Sequence, residues 1–391
     1  MKDMKTKILN IIPKIENEII ELRQHIHENP ELSGEEFETA EFICEYLSKI
    51  NVKYTKNIAG CGVMAEIFGE KNETAEEKNK TVLFRADIDA LPVCEAANVP
   101  YKSKKDGVMH ACGHDVHTAV ALGTVKVLNE LKSEYAGCIK VIFQPAEETT
   151  GGALTMISEG ILENPNVSAS IAYHCDPDLP CGTFRVKEGP FYASPDNFYI
   201  TVNGRGGHGA QPRLCINPIV VSAEIISKLT ETFSTKTDNT VLSVCQMNSG
   251  SAPNIIPDIA KISGTVRTMT PKTRACAEKE IGIIAEEICK KHSAKSVYEF
   301  EKLYPPLIND SDICRLFKLS AEKYGKVIWG GEHTMAGEDF SYISERIPSA
   351  LIRLGSGIGA PLHSAEFKAD NSALKFGIAA AVDFLIEYLK N

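Results

Sequence analysis

Residues 81–92 of the chain read TVLFRADIDALP. The apolar run from Thr81 to Phe84 is typical of a buried β-strand, and two aspartates, Asp87 and Asp89, follow it. Because successive side chains of a strand point to opposite faces, residues 87 and 89 lie on the same side. The stretch therefore predicts a strand that ends in two carboxylates directed at one place.

Two further runs of strand type follow, from Ile139 to Phe143 and from Ala169 to Tyr173, and the segment from Val116 to Leu131 between strands has helical periodicity. Apolar residues at helical spacing also predict two helices before the first strand, from Ile8 to Ile26 and from Ser33 to Leu47. This alternation predicts a mostly parallel sheet sandwiched by helices.

The pattern changes after Lys187. Strand and helix signals between residues 197 and 300 follow the order βαββαβ, which forms a compact ferredoxin-like sandwich on its own. The segment from Leu303 returns to the first pattern, with a strand from Ser349 to Leu354. We therefore expect an α/β protein with a discontinuous domain of residues 1–187 and 303–391 and an inserted domain of residues 188–302. The charged segment from Asn72 to Lys80 is predicted to be a surface loop.

Composition excludes several classes of protein. The chain has 391 residues and a formal net charge of -10, which argues against a nucleic-acid-binding surface. The N-terminal segment mixes charges into its apolar pattern, unlike a signal peptide, and no run approaches the roughly 20 apolar residues of a membrane span. We therefore expect a cytoplasmic protein that binds neither nucleic acid nor membrane. Its 12 scattered cysteines indicate buried thiols more than disulfides.

The strongest local motif is HACGHDVH at residues 110–117. Cys112 and His114 flank a glycine, so a tight turn directs both at one metal ion. Thiolate and imidazole are good ligands for zinc and similar divalent metals. His110 and His117 are equally well explained as ligands and as ordinary core histidines.

A second motif is QPAEE at residues 144–148, where a predicted strand ends. Open α/β sheets commonly place their ligand-binding residues at such ends. Of the two adjacent carboxylates, one can bind a metal ion while the other acts as a general base. Taken alone, such a pair is more often the solvated start of a helix.

Three further residues complete the pattern. His174 follows the apolar run at residues 170–173, His363 lies in the loop at residues 359–363, and Asp89 is placed to orient a ligating histidine. Each lone residue has an ordinary structural explanation. Their convergence at several strand ends predicts a metal site at the rim of the sheet.

Taken in order, these motifs resemble the family of aminoacylases and glutamate carboxypeptidases, which are di-metal amidohydrolases. The most similar branch contains hippurate hydrolases, N-acyl-amino-acid amidohydrolases and auxin-conjugate hydrolases. The resemblance covers nearly the whole chain and includes residues 22–33, 84–92, 112–117, 147–148, 206–210, 253–257, 264–267 and 337–340.

The resemblance implies a role for each matching position. It implies two divalent metal ions per subunit, of zinc, manganese, nickel or cobalt, and a general base, Glu147, that takes a proton from water held by the metal ions. Asp89 is implied to hold a metal ligand in place. The implied metal ligands are Cys112, His114, Glu148, His174 and His363.

The resemblance also implies that the inserted domain, residues 188–302, is a lid and dimerisation domain. Its histidine, His208, is implied to reach the active site of a partner subunit, and Asn254 and Arg267 to bind the substrate carboxylate or the reacting carbonyl. We therefore expect a homodimer or a higher homo-oligomer.

The predicted function is hydrolysis of the amide bond of an N-acyl amino acid such as hippurate or an N-acetyl-amino acid. A dipeptidase or carboxypeptidase with the same chemistry remains open, and a non-catalytic protein that binds a small acid is a more distant alternative. A zinc nucleobase deaminase is set aside because the chain lacks the H-x-E and P-C-x-x-C pair of motifs.

Overall fold

A computed structural model describes residues 4–71, 80–149, 151–235 and 239–390. The predicted surface loop lies outside the described residues except for Lys80. The helices of the described residues are α1 (Met4–Glu28), α2 (Phe37–Lys49), α3 (His114–Glu130), α4 (Gly152–Ser158), α5 (Pro218–Ser234), α6 (Pro271–Lys291), α7 (Ser311–Ala321), α8 (Ser341–Ser344) and α9 (Ser372–Lys390).

The strands of the described residues are β1 (Lys53–Ile58), β2 (Gly62–Phe68), β3 (Thr81–Asp87), β4 (Cys138–Gln144), β5 (Ala169–Asp176), β6 (Thr183–Val186), β7 (Gly189–Tyr192), β8 (Ser194–Asn203), β9 (Gly207–His208), β10 (Thr240–Ser249), β11 (Ile255–Ile256), β12 (Ile259–Thr268), β13 (Lys295–Glu301), β14 (Leu307–Asn309), β15 (Lys326–Trp329) and β16 (Ser349–Gly355).

The chain forms two compact units. Unit 1 comprises Met1–Gly189, Asn309–Glu332 and Tyr342–Asn391, and unit 2 comprises Pro190–Ile308 and His333–Ser341. The roles predicted for the larger domain and the insert stay predictions.

Unit 1 is built on an eight-stranded sheet in the order β1-β2-β4-β3-β5-β16-β6-β15. The central strands β4, β3, β5 and β16 are parallel to one another. Every residue of β3, β4 and β5 is buried, as expected of parallel strands at the centre of a sheet. Helices α1, α3 and α9 pack on one another, and α3 packs on β3 and β5. The predicted α/β class with a mainly parallel sheet is thus confirmed.

The sequence did not predict the edges of this sheet. Strands β1 and β2 form an antiparallel hairpin, and β2 pairs antiparallel with β4. Strand β1 has the sequence KYTKNI and is mostly exposed, so it lacks the apolar run that identified the central strands. At the other edge, β15 and its neighbour β6 contain only four residues each.

Unit 2 contains a four-stranded antiparallel sheet in the order β10-β12-β8-β13. Helices α5 and α6 pack against this sheet and share its apolar core, so the order β8, α5, β10, β12, α6, β13 matches the predicted βαββαβ pattern. Alternate residues of β8 and β12 are buried, because only one sheet face carries helices. A short ribbon pairs β9 with β11.

Hydropathy identifies no helix in the described part of the chain that is both long and apolar enough to cross a membrane.

A buried ion pair joins the first helix to the start of α3. Arg23 of α1 donates from Nε to Asp115 Oδ2 at 2.9 Å, and the two side chains are 1% and 0% exposed. Asp115 Oδ2 also lies 2.9 Å from His27 Nδ1. Burial opposes the charged form of His27, but the Asp115 carboxylate and a hydrogen bond to Glu95 together outweigh burial and raise the pKa of His27 to about 9. The first turn of α3, which carries His114, is therefore fixed to α1.

Replacing Arg23 with glutamine tests this anchor. Arg23→Gln leaves the Asp115 carboxylate buried without its strongest partner, so we expect the free energy of unfolding to fall by about 3 kcal/mol. Urea denaturation followed by circular dichroism and by fluorescence of Trp329, the only tryptophan of the chain, measures the change.

The control is Arg315→Gln, which breaks an exposed pair with Glu188 and should cost less than about 1 kcal/mol. Equal losses in the two variants would contradict the anchoring role of Arg23.

Candidate metal centre and active site

Four of the predicted site residues of unit 1 lie where neighbouring strands end. Asp89 follows β3, Glu147 and Glu148 follow β4, and His174 lies near the end of β5, the three strands being adjacent and parallel. The carboxyl ends of parallel strands meet at one edge, which explains how residues distant in sequence come together.

Five side chains form one cluster around the Cys112 sulfur. Ligand atoms of Cys112, His114 and Glu148 lie within 4.8 Å of one another. Cys112 Sγ is 3.6 Å from His174 Nε2 and 3.3 Å from His363 Nε2. His363 Nε2 is also 3.2 Å from Glu148 Oε1. The structure thus brings together the five residues predicted as metal ligands, which we call the Cys112 cluster.

The backbone around Cys112 brings these side chains together. Gly113 has a φ of +86°, a left-handed conformation that favours glycine, and a Cβ atom there would lie 2.7 Å from Cys175 Sγ. The backbone N–H of His363 donates to Ala111 O at 2.8 Å, which ties the distant loop to this turn. Cys112 and His114 are therefore held on either side of a tight, closely packed glycine.

His114 presents one nitrogen to the cluster. Its Nδ1 lies 2.9 Å from Asp89 O and 3.1 Å from Asp89 Oδ1, both acceptors, so Nδ1 carries a proton. Among the described residues its buried Nε2 has no hydrogen-bond partner, and it lies 3.9 Å from Glu148 Oε1. An orphaned buried nitrogen beside a thiol and a carboxylate fits a zinc-like cation.

Asp89 contacts two members of the Cys112 cluster, His114 and Glu148. Besides His114, its Oδ2 accepts hydrogen bonds from Ser33 Oγ at 2.6 Å and from the Glu148 N–H at 3.0 Å. The bond from His114 is among the contacts that overcome burial and lower the pKa of Asp89. One ionised carboxylate therefore orients an imidazole and the backbone of a neighbouring carboxylate.

His117 has a supporting position. Its Nε2 accepts the Cys175 N–H at 2.8 Å, so Nδ1 carries the proton and donates to Asp87 Oδ1 at 2.5 Å. Arg85 in turn pairs with Asp87 at 2.6 Å. Although Asp87, His114 and His117 are close enough to hold a metal ion, both nitrogens of His117 are already used. Of the two readings left open for His117, the geometry favours the core histidine.

His110 stays outside this network. It is buried, neither of its ring nitrogens has a hydrogen-bond partner among the described residues, and its ring lies 6.3 Å from that of His27. Burial lowers the pKa of His110 to about 4. The sequence motif left His110 open between a metal ligand and a core histidine.

Burial sets the electrostatics of the Cys112 cluster. Burial raises the pKa of the Cys112 thiol well above the ordinary value of a cysteine. It lowers the pKa of His174 well below the ordinary value of a histidine. A hydrogen bond to Glu148 raises the pKa of His363. The thiolate form of Cys112 therefore needs a nearby positive charge, which a bound cation supplies.

Glu147 adjoins the cluster in the same turn as Glu148. It is 9% exposed and follows Ala146, whose φ is +56°. A nearly buried carboxylate next to a cation-binding cluster is suited to proton transfer.

The predicted residues of unit 2 occupy two places. His208 is exposed in β9 and pairs with Ile255 of β11, next to Asn254, whose carbonyl accepts the Gly209 N–H at 2.8 Å. Arg267 lies in β12 and donates from Nη1 to Met335 O at 2.8 Å. The roles predicted for these residues stay predictions.

Sequence reasoning missed residues that support the cluster without joining it. Ser33 and Asp115 are examples, and both fall within motifs noted for their resemblance to a family. A buried polar residue gives no signal of its own in a sequence, because its partner lies far along the chain.

A mainly parallel sheet with a cluster of sulfur, nitrogen and oxygen ligands at its edge defines a metal-binding α/β protein. The model of peptidase family M20/M25/M40 matches residues 83–387, and the chain belongs to this family. It is a metal-dependent amidohydrolase, as predicted.

Three similar proteins illustrate the relationship. The chain is 37% identical over 364 residues to an N-acetylcysteine deacetylase of Bacillus subtilis (strain 168), covering 91% of this chain and 93% of that protein. It is 35% identical over 398 residues to thermostable carboxypeptidase 2 of Saccharolobus solfataricus, covering 99% of each. A dinuclear metal-binding M20 peptidase of Bacillus subtilis superposes with a TM-score of 0.86 at 34% identity, covering 97% of this chain and 99% of the other.

The raised pKa of Cys112 predicts how metal binding depends on pH. Below that pKa the metal-free site holds a proton on sulfur, and binding of a cation to the thiolate releases it. The apparent metal affinity should therefore rise with pH, by about tenfold per pH unit for each proton released. Competition with a chromophoric chelator between about pH 6 and pH 8 measures this slope.

Cys112→Ser is the matched control, since a serine hydroxyl does not ionise in this range. The slope of the logarithm of metal affinity against pH should fall by about one in this variant. An affinity independent of pH in the unmodified protein would be inconsistent with thiolate ligation.

Proposed function

We propose that this chain removes the acyl group from N-acylated amino acids with the help of two divalent metal ions per subunit. The observation that carries the proposal is the Cys112 cluster, with Glu147 in the turn beside it. The 37% identity to an N-acetylcysteine deacetylase supports the choice of substrate class.

We propose that the five residues of the Cys112 cluster hold the metal ions. One sulfur, three imidazole nitrogens and one carboxylate suit zinc, manganese, nickel or cobalt. When bound, such ions acidify water and polarise the scissile carbonyl. Asp89 would hold the His114 ring and the Glu148 backbone in place, through the contacts at 3.1 and 3.0 Å.

Glu147 is proposed as the general base. Its carboxylate takes a proton from the attacking water while a carbon–oxygen bond forms at the acyl carbon. When the carbon–nitrogen bond breaks, the same carboxylate gives the proton to the departing amine. The near-complete burial of Glu147 supports this role, because water competes less for a carboxylate that is 9% exposed.

Unit 2 is proposed to complete the site from a second subunit. We propose that residues 188–302 form a lid and dimerisation domain, that the chain is a homodimer, and that His208 stabilises the developing oxyanion in the partner's active site. The exposure of His208 on the β9–β11 ribbon supports this. Asn254 and Arg267 would bind the substrate carboxylate or the reacting carbonyl, since a guanidinium matches a carboxylate with two parallel hydrogen bonds.

A second candidate is a carboxypeptidase or dipeptidase, favoured by the 35% identity to thermostable carboxypeptidase 2. An unblocked dipeptide, however, would bring its positively charged amino group close to a site proposed to hold divalent cations. A neutral acyl group avoids this repulsion. The cytoplasmic location stays a prediction.

A substrate panel tests the proposed function. We expect the metal-loaded enzyme to hydrolyse hippurate or N-acetyl-amino acids with a kcat/KM well above that for unblocked dipeptides. In the same assay Glu147→Gln should lower kcat by about 10²–10⁴-fold, because the amide cannot accept the proton.

The metal content of Glu147→Gln, measured by elemental analysis, should match that of the unmodified enzyme. The exposed variant Glu188→Gln serves as a control with unchanged activity. A preference for unblocked dipeptides would overturn the substrate class, and full activity of Glu147→Gln would overturn the assignment of the base.

Sharing of the site between subunits is tested by complementation. Glu147→Gln and His208→Ala should each be inactive as homodimers. A heterodimer should have one intact site out of two, so random mixing should restore about a quarter of the normal activity. Steady-state assays after co-refolding measure the recovery.

The presence of heterodimers is verified with two different affinity tags. Verified heterodimers without activity would rule out the shared site while leaving Glu147 as the base.

A further inference from the structure

The turn that carries Glu147 and Glu148 has an unfavourable backbone conformation. Ala146 has a φ of +56°, in the left-handed region that residues with a Cβ atom avoid. The Gly151 N–H closes the turn by donating to Ala146 O at 2.9 Å. Since the conformation is strained, surrounding contacts have to maintain it.

Glu36 supplies one of these contacts. It lies at the N-terminal end of α2, is 0% exposed, and accepts the Ala146 N–H on Oε1 at 2.7 Å. Its Oε2 lies 3.5 Å from Cys61 Sγ. Burying a carboxylate is unfavourable unless hydrogen bonds compensate, so this placement indicates a specific task.

A second carboxylate holds the other side of the same turn. Asp89 Oδ2 accepts the Glu148 N–H at 3.0 Å. Glu147 therefore lies between two amide groups, of residues 146 and 148, and each of them donates to a buried carboxylate. The contact through Asp89 also reaches His114, whereas the Glu36 carboxylate contacts the turn and Cys61 Sγ.

We propose that Glu36 is a positioning residue that stabilises the left-handed conformation of Ala146 and thereby directs Glu147 and Glu148 toward the Cys112 cluster. It acts through the backbone and touches neither substrate nor metal ion. This inference rests on the proposed function, because the roles of Glu147 and Glu148 belong to it.

Glu31 offers a matched control in the same segment. It is 8% exposed, and its carboxylate accepts hydrogen bonds from Thr39 N at 2.8 Å and Thr39 Oγ1 at 2.9 Å in the first turn of α2. Like Glu36 it is a buried carboxylate that bonds a backbone amide, but the amide belongs to a helix and not to the turn after β4.

The experiment compares the metal-loaded variants Glu36→Asp, Glu36→Gln and Glu31→Ala. Glu36→Asp keeps the charge but withdraws the acceptor by one methylene, so we expect kcat and metal affinity each to fall by about 10–100-fold. Glu36→Gln keeps an oxygen for the Ala146 N–H and should stay within about fivefold of the unmodified enzyme. Glu31→Ala should lower the melting temperature and change kcat by less than about twofold.

Adding Ala146→Gly separates a positioning role from a general loss of stability, because a general loss of stability would not make kcat recover. Glycine adopts a positive φ readily, so Ala146→Gly should raise kcat several-fold in Glu36→Asp. In the Glu31→Ala background the same substitution should change only the melting temperature. Chelator competition measures metal affinity, and steady-state kinetics measures kcat and KM.

Two outcomes would overturn the inference. One is a Glu36→Asp protein whose kcat and metal affinity match those of Glu31→Ala. The other is a low kcat of Glu36→Asp that is not raised by adding Ala146→Gly and is equally low in Glu36→Gln. Glu147→Gln is measured alongside. Full activity of that variant would overturn the proposed role of Glu147, whereas its inactivity would leave that role standing, so a failed test would then count against Glu36 alone.

Discussion

The carboxylate of Asp89 is the contact on which the site geometry depends. Oδ1 lies 3.1 Å from the His114 ring, while Oδ2 accepts the Glu148 N–H and the Ser33 hydroxyl. It thus joins the end of β3 to three segments that are far apart in sequence, namely the stretch between α1 and α2, the start of α3 and the turn after β4. A fully ionised acceptor can do this because burial removes competing water and strengthens each hydrogen bond.

The central part of the fold was predictable because its physics is local. Strands β3, β4 and β5 are buried on both faces, so each appears in the sequence as an apolar run that ends in a polar residue. The edge strands were missed for the opposite reason. Strand β1 is mostly exposed and β15 has four residues, so pairing with a neighbour, which no local pattern records, creates them.

The same distinction applies to the candidate site. Cys112, His114 and Glu148 stand out in the sequence because ligand types are concentrated within short motifs. Whether His110 and His117 join His114 as ligands was beyond the sequence, because it depends on which nitrogen faces which partner. The contact between Glu36 and Ala146 was equally hidden, since 110 residues separate the two.

The packing of Gly113 against Cys175 has a consequence for the choice of metal ion. Because no side chain fits at position 113, the main chain between Cys112 and His114 has little room to shift, and the contact with Asp89 Oδ1 also holds the His114 ring. With His114 held in this way, we expect a larger or smaller ion to be accommodated mainly through movement of the other proposed ligands, His174, His363 and Glu148. Discrimination between ions of different radius is therefore expected to depend on those three residues.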